Sequence, residues 1–179
     1  GFEGPKGSML AIADCAINEA PGAEELADIA IASADTISSL LGWDPKVALL
    51  AFSTCGSSEG DTIDMIRQGL EIAKTRRPDL KIDGEFQLDA AINPKVAARK
   101  VKRESDVAGD ANILIFPNYN DVQGMIAAFY NDEGSYLGRI LIGEETVLLF
   151  NRENAETAKI EEHGLLSTFL YAPINSAVY

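Results

Sequence analysis

The chain has 179 residues, and 28 acidic side chains against 15 Lys and Arg leave a formal charge of −13. Hydrophobic residues make up 46% and charged ones 24%, which excludes a disordered or collagen-like chain and suits one domain with a sizeable core. The acidic excess repels phosphate backbones and anionic lipid surfaces, so neither nucleic acid nor a membrane is expected as a partner; a small anionic ligand requires local donors that override the mean field.

Two cysteines, Cys15 and Cys55, make no disulfide framework, and a reducing cytoplasm fits best. The apolar stretch from Met9 to Ile17 is interrupted by Asp14 and has neither the length of a membrane span nor the cationic flank of a signal peptide. The chain opens on Gly1, and Gly7-Ser8-Met9 reads equally as a cloning scar or as natural sequence, which leaves the true start open.

In chain order, Met9 to Ala13 suits a buried strand, ended by Asn18 and Pro21-Gly22. A long helix follows, with Leu26, Ile29, Ala30, Ala34, Ile37 and Leu41 at helical spacing and Gly42 where a left-handed cap belongs. Val47 to Phe52 is continuously apolar, the pattern of a strand covered on both faces. The loop STCGSSEG, residues 53 to 60, then leads to a helix that Asp61 can cap and that Arg76, Arg77 and Pro78 finish. A weaker strand is expected around Leu80 to Ile82, a short basic helix over 92 to 105, and another covered strand from Asn112 to Phe116. Val122 to Tyr130 reads as helix, Arg139 to Ile142 and Thr146 to Phe150 as strands, and Asn154 to Glu162 as helix, with a candidate linker from Asn131 to Ser135. Strands alternating with helices predict an α/β fold: a three-layer αβα sandwich around a mostly parallel sheet.

Over residues 13 to 120 the chain resembles the phosphate acetyltransferase family, through ADCAIN, AEELADIAIASADT, PKVALLAFSTCGS, RRPDLKIDGEFQLDAAINPKVAARK and ANILIFPNYN. Agreement in several ordered blocks is more specific than any single glycine motif. The resemblance implies an isocitrate dehydrogenase-like fold of two α/β domains, reversible acetyl transfer between acetyl-CoA and phosphate, a homodimer, and coenzyme A as substrate or ligand with no tightly bound cofactor. It assigns residues 1–130 to the family's second α/β domain and residues 131–179 to a divergent segment, a remnant of the first domain. The family's Pro-Val-Asn-Asp-Leu-Ser-Arg-Gly motif is met by TVLLFNREN, residues 146 to 154: Arg152 keeps the arginine, Asn151 and Glu153 replace the serine and glycine, and no aspartate follows. Arg152 is therefore the one catalytic residue the resemblance carries over.

Among the candidate sites, Ser53, Thr54, Gly56 and Ser57 lie between a strand end and a helix start, where N–H groups and hydroxyls hold phosphate or merely cap the helix; Glu59 and Asp61 oppose an anion there. Asp83, Gln87 and Asp89 border the cleft in the family, or serve as turn and cap residues. Asn112 and Asn118 flank a covered strand, as cleft-lining residues or as side chains bonded to nearby backbone. Lys95, Arg99, Lys100, Lys102 and Arg103 attract coenzyme phosphates or form a solvated face. Cys55 is a thiol that a helix start would acidify, or a small loop residue. His163, the single histidine, lies beside Gly164 with no metal-ligating company, so no metal is expected. Trp43 is expected to pack on the sheet.

Overall fold

The computed structural model describes residues 9–14, 17–118, 121, 135–142 and 145–151, the last two segments and residue 9 by their backbone alone. Ten elements follow in order: β1 (Met9–Ala13), α1 (Ala23–Leu41), β2 (Lys46–Leu50), α2 (Asp61–Arg76), β3 (Lys81–Phe86), α3 (Leu88–Ile92), α4 (Pro94–Lys100), β4 (Ile113–Ile115), β5 (Ser135–Ile142) and β6 (Glu145–Asn151). They build one sheet in the order β3-β2-β4-β1-β6-β5. The first four strands run parallel, while β6 joins β1, and β5 joins β6, antiparallel. The helices cover the parallel part on both faces, and the expected three-layer α/β sandwich is observed.

The uninterrupted apolar runs of the central strands divide by parity, because successive strand side chains point to opposite faces. Ala11, Ala13, Val47, Leu49, Ile82, Ile113 and Ile115 pack with Leu26, Ile29, Ile37, Ile66 and Leu70 of α1 and α2. Leu10, Ile12, Ala48, Leu50, Phe86, Leu114 and Phe116 pack on the other face with Ala90, Ala91 and Ile92 of α3 and with Val107. Trp43 is partly buried against the first of these cores.

Helix starts and stops follow local chemistry. At α1, Glu25 reaches back to accept from the Gly22 N–H at 3.1 Å, and Gly42 closes the helix at φ 65°. Asp61 is the first residue of α2 and not its cap, which is Gly60; with Asp64 it places negative charge on the first turn. The basic helix is shorter than its charge run: the Asn93 side chain accepts from Lys95 N and Val96 N, Pro94 opens α4, and the chain leaves the helix at Val101. Conversely, β3 is longer than its apolar run, extending through Asp83, Gly84 and Glu85 to Phe86.

Between β2 and β3 the register shifts: Leu49 pairs with Gly84 and Leu50 with Phe86, which leaves Glu85 as an extra residue on the edge strand. Gly84 allows the close approach that this bulge requires, since a Cβ there would lie 2.8 Å from the Leu49 carbonyl oxygen. Bulges at sheet edges re-aim side chains, and this one sends Glu85 toward α2 and the loop after β2. Among the described residues no helix is long and apolar enough to cross a membrane. The helices read over 122–130 and 154–162, the 131–134 part of the candidate linker, Cys15, Arg152 and His163 lie outside the described residues; Ser135 opens β5.

Candidate functional site at the carboxyl rim of the parallel sheet

Parallel α/β sheets offer ligands the carboxyl ends of their strands. At that rim the chain from Ser53 to Ser58 turns tightly, with Cys55 at φ 49° and Gly56 at φ 84°, both in the left-handed region. Five consecutive N–H groups of this loop have acceptors inside the chain. Thr54 N donates to Ser57 Oγ (3.0 Å), Cys55 N to the Glu85 carbonyl (3.1 Å), Gly56 N to Glu85 Oε1 (2.7 Å), Ser57 N to the Thr54 carbonyl (3.2 Å) and Ser58 N to Ser53 Oγ (3.1 Å).

The buried carboxylate at the centre of this arrangement is Glu85. Ser53 Oγ donates to it at 2.9 Å, and Arg67 of α2 donates through Nε (3.1 Å) and Nη2 (3.2 Å). Burial alone would raise its pKa, but the bonds from Arg67, Gly56 N and Ser53 more than reverse that and hold the carboxyl at about 2. Arg67 is raised in turn, chiefly by the same bond to Glu85.

A second cluster stands one bulge away on β3. Asp83, also buried, accepts from both terminal nitrogens of Arg103, from Ser105 Oγ and from Gly84 N. Here too burial opposes ionisation and is outweighed, by Arg103 first and then by Ser105, so the carboxyl lies below the usual range. Arg103 sits 5.8 Å from the centroid of the Phe86 ring. The Cys55 thiol is pushed up, by desolvation first; Arg103 works against this, and Asp83 and Glu85 add to it. The acidified thiol weighed from the sequence is thus replaced by its opposite.

A third network ties the loop to α3 and α4. Gln87 N donates to Thr54 Oγ1 at 2.9 Å, and Lys100 Nζ donates to Gln87 Oε1 (2.9 Å) and to both oxygens of Asp89 (3.0 and 2.8 Å). Of the five cations in the basic run, Lys100 and Arg103 are therefore paired with carboxylates of the site, while Lys95, Arg99 and Lys102 are exposed.

The structure brings Ser53, Thr54, Gly56, Ser57, Asp83, Gln87 and Asp89 together around one loop. Asn118 follows β4 at the same rim and exchanges bonds with Asp121 (3.0 Å each). Asn112 is not brought to this rim: it precedes β4 at the opposite end, where its side chain accepts from Lys46 N (2.8 Å) and donates to the Asp44 carbonyl (2.9 Å). Arg67 and Glu85 were missed by sequence reasoning. The one available signal was Gly84 inside a strand, which often marks a bulge.

Comparison with known proteins bears on this rim. A model of the phosphate acetyl/butaryl transferase family matches residues 4–143. The phosphate acetyltransferase of Clostridium acetobutylicum is 54% identical over 110 residues, covering 62% of this chain and 33% of that protein. That of Thermoanaerobacterium thermosaccharolyticum is 53% identical over 115 residues, covering 64% and 34% respectively. Among solved structures, a phosphotransacetylase from Streptococcus pyogenes superposes with a TM-score of 0.67 at 34% identity, covering 84% of this chain and 49% of that one. The EutD phosphotransacetylase from Staphylococcus aureus gives 0.70 at 30% identity, covering 92% and 50%. The chain thus spans about a third of these curated relatives and about half of the solved chains. With the family model matched over residues 4–143 and the fold shared with solved phosphotransacetylases, the chain belongs to the phosphate acetyl/butaryl transferase family.

Proposed function

We propose that the carboxyl rim of this sheet is one wall of a site for acetyl transfer between coenzyme A and phosphate. The observation that carries the reading is the loop of Ser53, Thr54, Gly56 and Ser57, locked at the strand ends by Glu85 and by the Gln87, Asp89 and Lys100 network. In one direction the coenzyme thiolate attacks the carbonyl carbon of acetyl phosphate and phosphate leaves; in the other, a phosphate oxygen attacks the thioester and the thiolate leaves. Either way the barrier falls when the partners are held in line and donors meet the developing oxyanion, which rigid walls accomplish better than mobile ones. Cys55, Gly56 and Ser57 are the exposed residues of the 53–58 loop, and Gly56 and Ser57 are the ones a phosphate reaches. Arg152 is the cation that the family motif brings to the reacting groups.

The same reading takes residues 1–130 as the family's α/β domain and residues 131–179 as a segment belonging with the first domain. The pairing sense changes at β6, from parallel to antiparallel, within one continuous sheet. A homodimer in the cytoplasm completes the proposal, with light scattering as the check on subunit number. Binding without turnover is the second reading, favoured by Asn151 and Glu153 beside Arg152 and by the lack of a following aspartate.

The test is to mix the chain with acetyl-CoA and phosphate, assay acetyl phosphate, and titrate acetyl-CoA by calorimetry. Binding with little turnover is expected, because one wall holds the coenzyme but does not enclose the reaction. Turnover equal to that of a full-length relative removes the one-wall reading, and absence of binding removes both coenzyme roles.

A further inference from the structure

Loops that join a strand to a helix hold anions when their N–H groups are free. Here that capacity is already used, and the user is the chain itself. The bulge at Gly84 to Phe86 turns a buried carboxylate into the loop, where one oxygen receives Gly56 N, Ser53 Oγ and Arg67 Nη2, and the other receives Arg67 Nε. The carbonyl of the same residue takes Cys55 N. No N–H from 54 to 58 lacks an acceptor within the chain.

We propose that Glu85 is a positioning residue, a built-in anion that fills the donor nest of the 53–58 loop and holds it in ligand-ready shape, so that coenzyme or phosphate meets the outer face at Gly56 and Ser57 and not the backbone N–H groups. The ligand half of this inference rests on the acyl-transfer reading above; the built-in anion stands on the geometry. Arg67 is the natural counter-ion, because its two bonds to Glu85 are shorter than its contacts with Asp64, one turn earlier on α2, and with the Ser58 carbonyl, both at 3.5 Å. The loop is then rigid before any ligand arrives, and binding does not have to order it.

The experiment uses the 179-residue chain and its Glu85→Ala and Glu85→Gln variants. Amide exchange at Gly56 is read by NMR, and acetyl-CoA affinity by calorimetry, each with sodium formate or with sodium chloride at equal ionic strength. In Glu85→Ala the Gly56 amide is expected to exchange at least about tenfold faster and acetyl-CoA to bind about tenfold more weakly, the scale set by losing bonds to a charged acceptor. Formate, a carboxylate small enough for the vacated space, is expected to restore both in a saturable way, and chloride is not. Glu85→Gln, which keeps volume and one acceptor but loses the charge that holds Arg67, should fall between the two and supplies the answer if the alanine variant does not fold. Unchanged Gly56 exchange in both variants, or loss that formate does not reverse, overturns the built-in anion. If the parent chain binds acetyl-CoA and the variants bind it equally well, the positioning role falls while acyl transfer survives. If the parent binds none, the acyl-transfer reading falls and the exchange and formate measurements decide the role of Glu85 alone.

Discussion

Glu85 shows how a buried charge is kept: its desolvation is offset by a guanidinium, a hydroxyl and an N–H, all pointing at two oxygens. A carboxyl whose pKa is lowered on folding contributes stability above its unfolded value of about 4.5, and that contribution drains away as pH falls toward about 2. Asp83 is shifted in the same direction, so its contribution too is lost on acidification. The thermal midpoint is therefore expected to be flat above about pH 5 and to drop steeply below about pH 4.5, with a visibly shallower drop in Glu85→Gln; parallel curves for the two proteins contradict this. Asp83, Gln87 and Asp89 could be picked out because the block DGEFQLDAA resembles one that borders the cleft in the family, although turn and cap roles fit them as well. Glu85 and Arg67 could not, since their meeting depends on a one-residue shift in register that no periodicity carries.

At the scale of elements, helices announce themselves better than the edge strand. The repeat of Leu26, Ile29, Ala30, Ala34 and Ile37 with Gly42 after it is enough to locate α1, because the buried stripe and the left-handed cap are both local. The edge strand β3 reads as three residues and is six, because Asp83 and Glu85 are satisfied by side chains from α2 and from the segment after α4, and no local pattern records such partners. The basic helix reads too long for the matching reason: Arg103 leaves it to reach back to Asp83. Gly109, at φ 77°, packs where α3 and α4 meet, and its N–H donates to the Ala90 carbonyl of α3 at 2.9 Å. A Cβ there would stand 2.7 Å from Pro94 Cα and 2.9 Å from Ala97 Cβ. Gly109→Ala is expected to cost about 2 kcal/mol or more through strained backbone and overpacking together, read as a lowered urea midpoint at unchanged slope; a midpoint within experimental scatter of the parent refutes that packing.

Across the whole molecule, the sheet has a mouth and a foot. The mouth carries the loop, the two carboxylate clusters and exposed apolar residues such as Phe52, 62% accessible, and Ile17. The foot is closed by Asn112, whose amide clasps the backbone on either side of Pro45, at the Asp44 carbonyl and the Lys46 N–H, and by the Lys46–Asp110 ion pair. Asn112→Ala removes two hydrogen bonds to backbone and should cost about 1–2 kcal/mol of stability, yet, on the acyl-transfer proposal, leave acetyl-CoA affinity as it was; an affinity loss as large as that of a rim substitution would tie the two ends together. If they are separate, the clasp lets the scaffold keep its shape while residues at the mouth are exchanged. A descendant of this chain could then change what its mouth accommodates without first rebuilding its frame.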